Sequence, residues 1–469
     1  GKDQWGEPWP LTFRSFGDSK LPLYTYLTIP TVFIFGLNEF ATRLPGALIG
    51  VLAVFATYLM TREIFKNKTL GHVSAFLLAI SPWHTALSRG AFEANLTVFF
   101  MAIGVWAFYR GIKNKKWMIL SAFSLGVNLF SYHSARLVTP LLVAVLAYWY
   151  REELDIAGVL KGLGKYLLPL VVFAAFLALA SYSVFAGGGS RAADIAIFNP
   201  TDKWMAAFDR RYEAVFDGLT YGVARIFSNK IVYLFDTFTN AYSTYLSPQF
   251  LFTLGPGEWT YGMIAGLGVL YLFEVPFILA SLWFLAKYGL RQSKALTFIF
   301  IWILISPLPA ALTKGPGYAA NRAAVMMPAI TAFSAYGAML LYERIKFAKK
   351  KLLKWTFIIT SLIFLVIFLE DYRYHAPRAG ASGMLFGRKG AMEFVAGVEK
   401  DYQKIVVSRS LSEPQIYVAF YLKWDPAGYQ KETNDWLRYK ELGLPFLDQL
   451  GEYSLGKYLF KNINYLDLQ

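Results

Sequence analysis

The sequence predicts an α-helical polytopic membrane protein: a multi-span bundle with an external loop region and a small C-terminal α/β domain. Three observations predict it. Of 469 residues, 56% are hydrophobic and 18% aromatic, well above the composition of a soluble globular domain. The apolar residues gather in long runs instead of alternating with polar ones. Nearly all of the formal net charge of +15 sits in five short loops between those runs.

The runs define ten candidate spans, near 43–61, 70–88, 94–109, 117–131, 137–150, 165–186, 262–286, 295–312, 323–342 and 355–369. The segments 62–68, 110–116, 151–165, 287–294 and 343–354 between them hold 19 Lys and Arg against 5 acids, and the rest of the chain is close to neutral. The positive-inside bias makes those five loops cytoplasmic. It places residues 1–42, the 187–261 loop, the 313–322 loop and the C-terminal hundred or so residues outside. Chemistry is therefore expected on the outer face.

Residues 1–42 read as an external loop with an interfacial helix, because the apolar stretch Leu21–Gly36 is short for a bilayer crossing. Residues 43–370 form the ten-span bundle. Its 187–261 loop opens on three glycines and is rich in Trp, Phe and Tyr, the composition of a folded loop rather than of a flexible linker. Residues 371–469 turn polar and read as a small soluble α/β domain, with an amphipathic helix at 388–400 and short strands at 404–408 and 457–464.

Several classes are excluded. Clusters such as Lys346, Lys349, Lys350, Lys351 and Lys354 lie just on the cytoplasmic side of spans, so the basicity points to the membrane surface and not to nucleic acid. The chain has no cysteine, which removes disulfides, thiolate metal sites and a cysteine nucleophile. It has no phosphate-binding glycine loop, no dinucleotide fingerprint and no Asp-x-Asp pair, so neither an ATP-driven pump nor a metal-held nucleotide-sugar enzyme is supported, and no nucleotide cofactor is expected.

Charged groups near the outer face are few. Asp18 and Lys20 precede the interfacial helix, where Pro22 opens a helix whose N-terminus with a lysine can hold an anion; a solvated loop lysine is the plainer alternative. Arg89 and Glu93 lie in the tight turn Ser88–Glu93, and Glu93 falls in the first turn of the next helix, where a simple dipole-stabilised acid is the competing reading. His133 and Arg136 lie in the turn SYHSAR between two spans of about 14 residues, which reach roughly 21 Å against a ~30 Å hydrocarbon core. Polar groups at that depth line protein or a water-filled cavity. Lys314, Asn321 and Arg322 lie in a Gly/Pro-rich outer loop, and an arginine at a helix N-terminus opposes the dipole, so an anionic ligand accounts for it better than a cap, with interfacial snorkelling the alternative. Glu274 is the one acid in mid-span.

The stretches GDSKLPLY (17–24), FGLNEFATRLPGALIG (35–50) and SPWHTALSRGAFE (81–93) resemble the bacterial membrane glycosyltransferases of the GT-C class. These are similar to protein O-mannosyltransferases and to the aminoarabinose transferase of lipid A. The likeness reappears at FSNK (227–230), SPQFLF (247–252) and Asn321–Arg322. It implies a GT-C fold in the cell (inner) membrane, a polyprenyl-phosphate sugar as donor, a protein, lipid or glycan acceptor, and inverting transfer on the periplasmic face. It also implies a Lys-Pro motif, matched by Lys20-Leu21-Pro22, a second acid matched by Glu93, and an arginine after a late outer loop matched by Arg322. The principal acid of the family stands upstream of a stretch like Gly1–Gly6, so the chain is expected to be N-terminally truncated and, as written, inactive.

The residue types suit that chemistry. Expulsion of a lipid phosphate from an anomeric carbon needs cations on the phosphate, expected here as Lys20, Arg322 and Arg136. It needs a carboxylate to take the acceptor proton, expected as Glu93 or Asp18. His133, Arg89 and Asn321 are expected to line the cavity. No His/Asp ligand cluster decides for or against a divalent cation, and metal dependence stays open. A non-enzymatic lipid-linked glycan flippase or transporter is the alternative, with Glu274 the kind of residue it would use.

Overall fold

The computed structural model describes residues 2–15, 18–154, 166–185, 196–198, 200–257, 262–313, 319–411, 413–439, 441–444 and 449–464. The chain is mostly helical and divides into two compact units. It opens with strands β1 (Phe13–Ser15) and β2 (Asp18–Lys20) and helix α1 (Pro22–Phe35). There follow α2 (Glu39–Phe65), α3 (Lys68–Ile80), α4 (Pro82–Arg89), α5 (Ala94–Lys113), α6 (Lys116–Asn128) and α7 (His133–Trp149).

The larger unit, Gly46–Ser181 with Ala192–Gly380, holds most of the apolar helices. Five helices are long and apolar enough to cross a membrane among the described residues: Glu39–Phe65, Ala94–Lys113, Lys294–Ala311, Ala320–Arg344 and Lys349–Tyr374. The polytopic α-helical fold class expected from the sequence is what is found. At its centre is the helix Met327–Arg344, whose residues from Met327 to Ala335 are all buried. Between apolar helices in lipid, close packing and short polar bonds supply the cohesion, the latter about 0.6 kcal/mol each. Both devices are present. Thr61 bonds Ser74 at 3.1 Å, and Ser281 donates to the Phe333 carbonyl at 2.7 Å. Gly337 lets the helix Val275–Tyr288 approach so closely that a Cβ there would lie 1.8 Å from the Phe277 carbonyl oxygen.

Proline divides some of the expected spans. The run 70–88 breaks at Ser81, where Pro82 opens α4 and the Ser81 hydroxyl accepts from the His84 amide at 3.4 Å. The run 262–286 becomes an α-helix only at Val275, with Pro276 in its first turn. That moves Glu274 from mid-span, where the sequence reading puts it, to the end of a 3-10 turn, Leu272–Glu274, at the helix start. Its buried carboxylate accepts from the Ser334 hydroxyl at 2.9 Å and the Tyr271 amide at 3.3 Å. Each of its oxygens accepts one hydrogen bond within the bundle.

The smaller unit comprises Gly1–Pro45, Tyr182–Arg191 and Ala381–Gln469. Strands β1 and β2 pair antiparallel, with Phe13 opposite Lys20. The C-terminal part has the expected helix, at Arg388–Val398, and strands β3 (Ile405–Ser408), β4 (Tyr453–Leu455) and β5 (Tyr458–Lys461) in the order β3-β5-β4, of which β4 was not legible in the sequence. β3 runs parallel to β5 and β4 antiparallel to it. Val407, Val418, Trp436, Tyr453, Leu455 and Phe460 form its core, and Trp5 of the N-terminal segment packs against them. Gln430 donates to the Asp3 carbonyl at 2.6 Å, so residues 3–8 are built onto the C-terminal domain rather than forming a separate loop.

Candidate active site

In the larger unit the polar turn residues singled out from the sequence form two groups. The first centres on the 3-10 segment Ala320–Met326. Carbonyls at this segment take partners from other elements. Three buried aromatics supply them: Trp83 Nε1 donates to the Ala320 carbonyl at 3.1 Å, Tyr245 to Ala319 at 3.3 Å and Trp302 Nε1 to Val325 at 3.0 Å. The segment is thus held from α4 and from the helices Lys230–Tyr245 and Lys294–Ile305.

Asn321 donates from Nδ2 to the Tyr132 hydroxyl at 2.9 Å, which joins this segment to the start of α7. Its Oδ1 is buried and has no hydrogen-bond partner among the described residues. An acceptor left bare in that way costs about 1–3 kcal/mol, and a donor on a ligand would relieve it. Arg322 donates to the Thr313 hydroxyl at 3.3 Å. Arg136, half-buried in the first turn of α7, donates from Nε to the Leu129 carbonyl at 3.3 Å. The turn beneath it is tied by Ser131 to Asn128 at 2.7 Å and by Asn128 to Thr139 at 3.0 Å. His133 is the exposed first residue of α7.

The second group surrounds the turn between α4 and α5. Asn95 donates to the Gly46 carbonyl at 2.9 Å, and Ser88 bonds Asn95 at 3.3 Å, so the turn is pinned to α2. Gly50 is required there, since a Cβ would lie 2.4 Å from the Ser88 hydroxyl. Glu93 occupies the N-cap position of α5, half-buried, and its side chain makes no capping hydrogen bond. The capping alternative therefore loses its main energetic term. The Arg89 guanidinium lies 5.0 Å over the Tyr372 ring. Arg89 lines a cavity of about 930 Å³ between α2, α3 and α4, with His84, Thr85 and Ser88. His133 and Asn321 are not on its wall. Trp83, six residues before Arg89 in α4 and bonded to Ala320, links the two groups.

The remaining candidates lie elsewhere. Lys20 is exposed at the end of β2 in the smaller unit. The backbone of Asp18 is in β2, but its side chain is outside the described residues, as is Lys314. Among the described residues no cluster of three His, Asp or Glu side chains is placed to hold a metal ion. Sequence reasoning missed Tyr132, Thr313 and Trp83. Tyr132 and Trp83 stand next to singled-out residues, in SYHSAR and SPWH, and a buried aromatic with a polar tip needs a partner. That signal was available.

Residues 19–182 match the family of dolichyl-phosphate-mannose-protein mannosyltransferases. The resemblance to GT-C membrane glycosyltransferases is shown. The Bacillus subtilis (strain 168) protein YkcB, which carries a mannosyltransferase name, is 30% identical over 111 residues, 23% of this chain and 15% of that protein. Dolichyl-phosphooligosaccharide-protein glycotransferase 2 of Archaeoglobus fulgidus is 26% identical over 198 residues, 41% of this chain and 30% of that protein. The chain thus aligns with less than a third of the length of these relatives. Among solved structures, ArnT from Cupriavidus metallidurans bound to undecaprenyl phosphate is similar with a TM-score of 0.46 at 14% identity, covering 90% of this chain and 68% of that one.

Proposed function

We propose that the protein is a membrane glycosyltransferase that moves a sugar from a polyprenyl-phosphate donor to a hydroxyl of a protein, lipid or glycan acceptor, with inversion, on the extracytoplasmic face of the cell membrane. The observation that supports this best is that the mannosyltransferase-like region, 19–182, contains Glu93 and Arg136, and that the Asn321–Tyr132 bond ties to it the loop bearing Arg322. A carboxylate, Glu93 or Asp18, takes the proton of the acceptor hydroxyl as its oxygen attacks the anomeric carbon. The bond from that carbon to the phosphate oxygen breaks, and the polyprenyl phosphate leaves with the electron pair. Arg322, Arg136 and Lys20 stabilise the charge that develops on it. Arg322 donates to the Thr313 hydroxyl and Arg136 to the Leu129 carbonyl, bonds that orient both guanidinium groups. The transport alternative draws less on Glu274 than the sequence suggests, since both of its oxygens accept hydrogen bonds within the bundle.

The test is transfer of radiolabelled sugar from a synthetic polyprenyl-phosphate sugar to a hydroxyl acceptor, in proteoliposomes of the protein expressed from its natural reading frame. The expected product has the anomeric configuration opposite to the donor's, with polyprenyl phosphate released one for one. Retention of configuration, or donor crossing the bilayer intact without transfer, overturns the proposal.

A further inference from the structure

Between the apolar helices Leu167–Ser183 and Val275–Tyr288 in the chain lies a segment of three helices, Pro200–Phe216, Tyr221–Phe227 and Lys230–Tyr245, all within the larger unit. The first is inside out by the standards of a soluble protein. At 100° per residue, Trp204, Met205, Phe208, Tyr212, Val215 and Phe216 share one arc of roughly 120°. The four aromatics of that arc are 59 to 79% exposed, whereas among the described side chains of this helix Ala207 is the buried one, with Ala206 and Ala214 half-buried beside it. The other two helices continue the pattern, with Ile226 and Phe227 exposed on one and Ile231 and Phe235 on the other.

A contiguous apolar surface of this kind marks an interaction site, and its chemistry selects the occupant. The helix cannot cross a bilayer, because Asp209, Arg210, Arg211 and Glu213 interrupt it at mid-length. Those charges lie off the aromatic arc and are of mixed sign, so no strong field calls for an acidic or basic partner. Trp and Tyr dominate with Phe, and cations stack at the edge of the surface: Lys230 Nζ lies 3.4 Å over the Trp204 ring and the Arg211 guanidinium 5.4 Å over Tyr221. Amphipathic rings beside long cationic side chains are the composition of the membrane–water interface. The same unit carries helices long and apolar enough to cross a membrane on both sides of the segment in the chain, so that interface is within reach of it.

We propose that the helix Pro200–Phe216 lies flat in the membrane interface, with Trp204, Phe208, Tyr212 and Phe216 seated among phospholipid headgroups and the two shorter helices extending the contact. The start of the segment is tied to the candidate site: Ala196 bridges Thr313, and the Ile197 amide donates to the Leu312 carbonyl at 3.1 Å. Thr313 is the residue that receives Arg322. The lipid-seated helix thus holds the Arg322 loop at the bilayer surface. This placement is independent of the proposed reaction, and its test can fail while that activity stands.

Because the chain has no cysteine, single substitutions give unique labels. Phe208→Cys and Tyr212→Cys on the aromatic arc, and Arg210→Cys and Glu213→Cys off it, are spin-labelled in the intact protein reconstituted into phosphatidylcholine nanodiscs. Collision rates with oxygen and with a water-soluble nickel chelate are then measured, and thermal unfolding checks that each variant folds. The expected result is a reversal: labels at 208 and 212 collide with oxygen in preference to nickel, and labels at 210 and 213 with nickel in preference to oxygen. Equal nickel access on both faces overturns the proposal by placing the helix in water. Immobile labels at 208 and 212, shielded from both reagents, overturn it in favour of a protein occupant such as a second copy of the chain.

Discussion

Glu93, Arg322 and Glu274 separate at the level of single atoms. Glu93 sits at the N-cap of α5 without capping it, so Glu93→Gln is expected to change stability by under about 1 kcal/mol. Transfer, by contrast, should fall to background at an unchanged melting temperature; full activity with a lowered melting temperature would return Glu93 to a structural role. Arg322→Ala and Lys20→Ala are each expected to lower kcat/KM by the equivalent of about 2–4 kcal/mol, the cost of a lost charge donor in the transition state. Near-normal turnover of a purified donor in both variants would remove them from the phosphate site. Glu274→Gln has the opposite signature. It disturbs the bonds from Ser334 and Tyr271, so a loss of about 1–3 kcal/mol in thermal stability is expected with transfer largely kept. Complete inactivation of a well-folded Glu274→Gln would revive transport.

At the scale of elements, the helices depend on a few close approaches. Gly337 faces the Phe277 carbonyl oxygen with no room for a methyl group, and the obstacle is backbone, which cannot rotate away. Gly337→Ala is therefore expected to push the helices Val275–Tyr288 and Met327–Arg344 apart, at a cost of about 1–3 kcal/mol. Gly390→Ala in the helix Arg388–Val398, where a Cβ meets nothing within 4 Å, serves as the control in the same detergent melting assay. Equal melting temperatures for the two variants would show that the Gly337 contact is not a constraint. Proline rather than glycine decides where the apolar runs break, at Pro82 and Pro276. An apolar run shows how much of the chain avoids water, and only the proline and its neighbours show where the helix within it begins.

For the whole molecule, the charge asymmetry of the loops makes a topological prediction. In right-side-out vesicles a membrane-impermeant maleimide is expected to label Asp217→Cys and to spare Lys66→Cys, and in inverted vesicles the reverse. Labelling of both from one side would undo the orientation from which the outer-face site was argued. The helical fold class, the helix at 388–398, the strands at 405–408 and 458–461 and the helix at 22–35 were all legible in the sequence, because each rests on a local pattern of apolar residues and on flanking Pro or Gly. So were the residue types that the proposed site would use. The tertiary structure alone decided which of them meet. Asn321 reaches Tyr132 across 189 positions of sequence, and Asp3 receives Gln430 across 427. It also decided that Glu274 is spent on Ser334, and that the aromatic arc of Pro200–Phe216 faces outward. Periodicity and composition are properties of neighbours along the chain, whereas a hydrogen bond between distant loops depends on how helices of fixed rise pack against one another, and no local pattern carries that information.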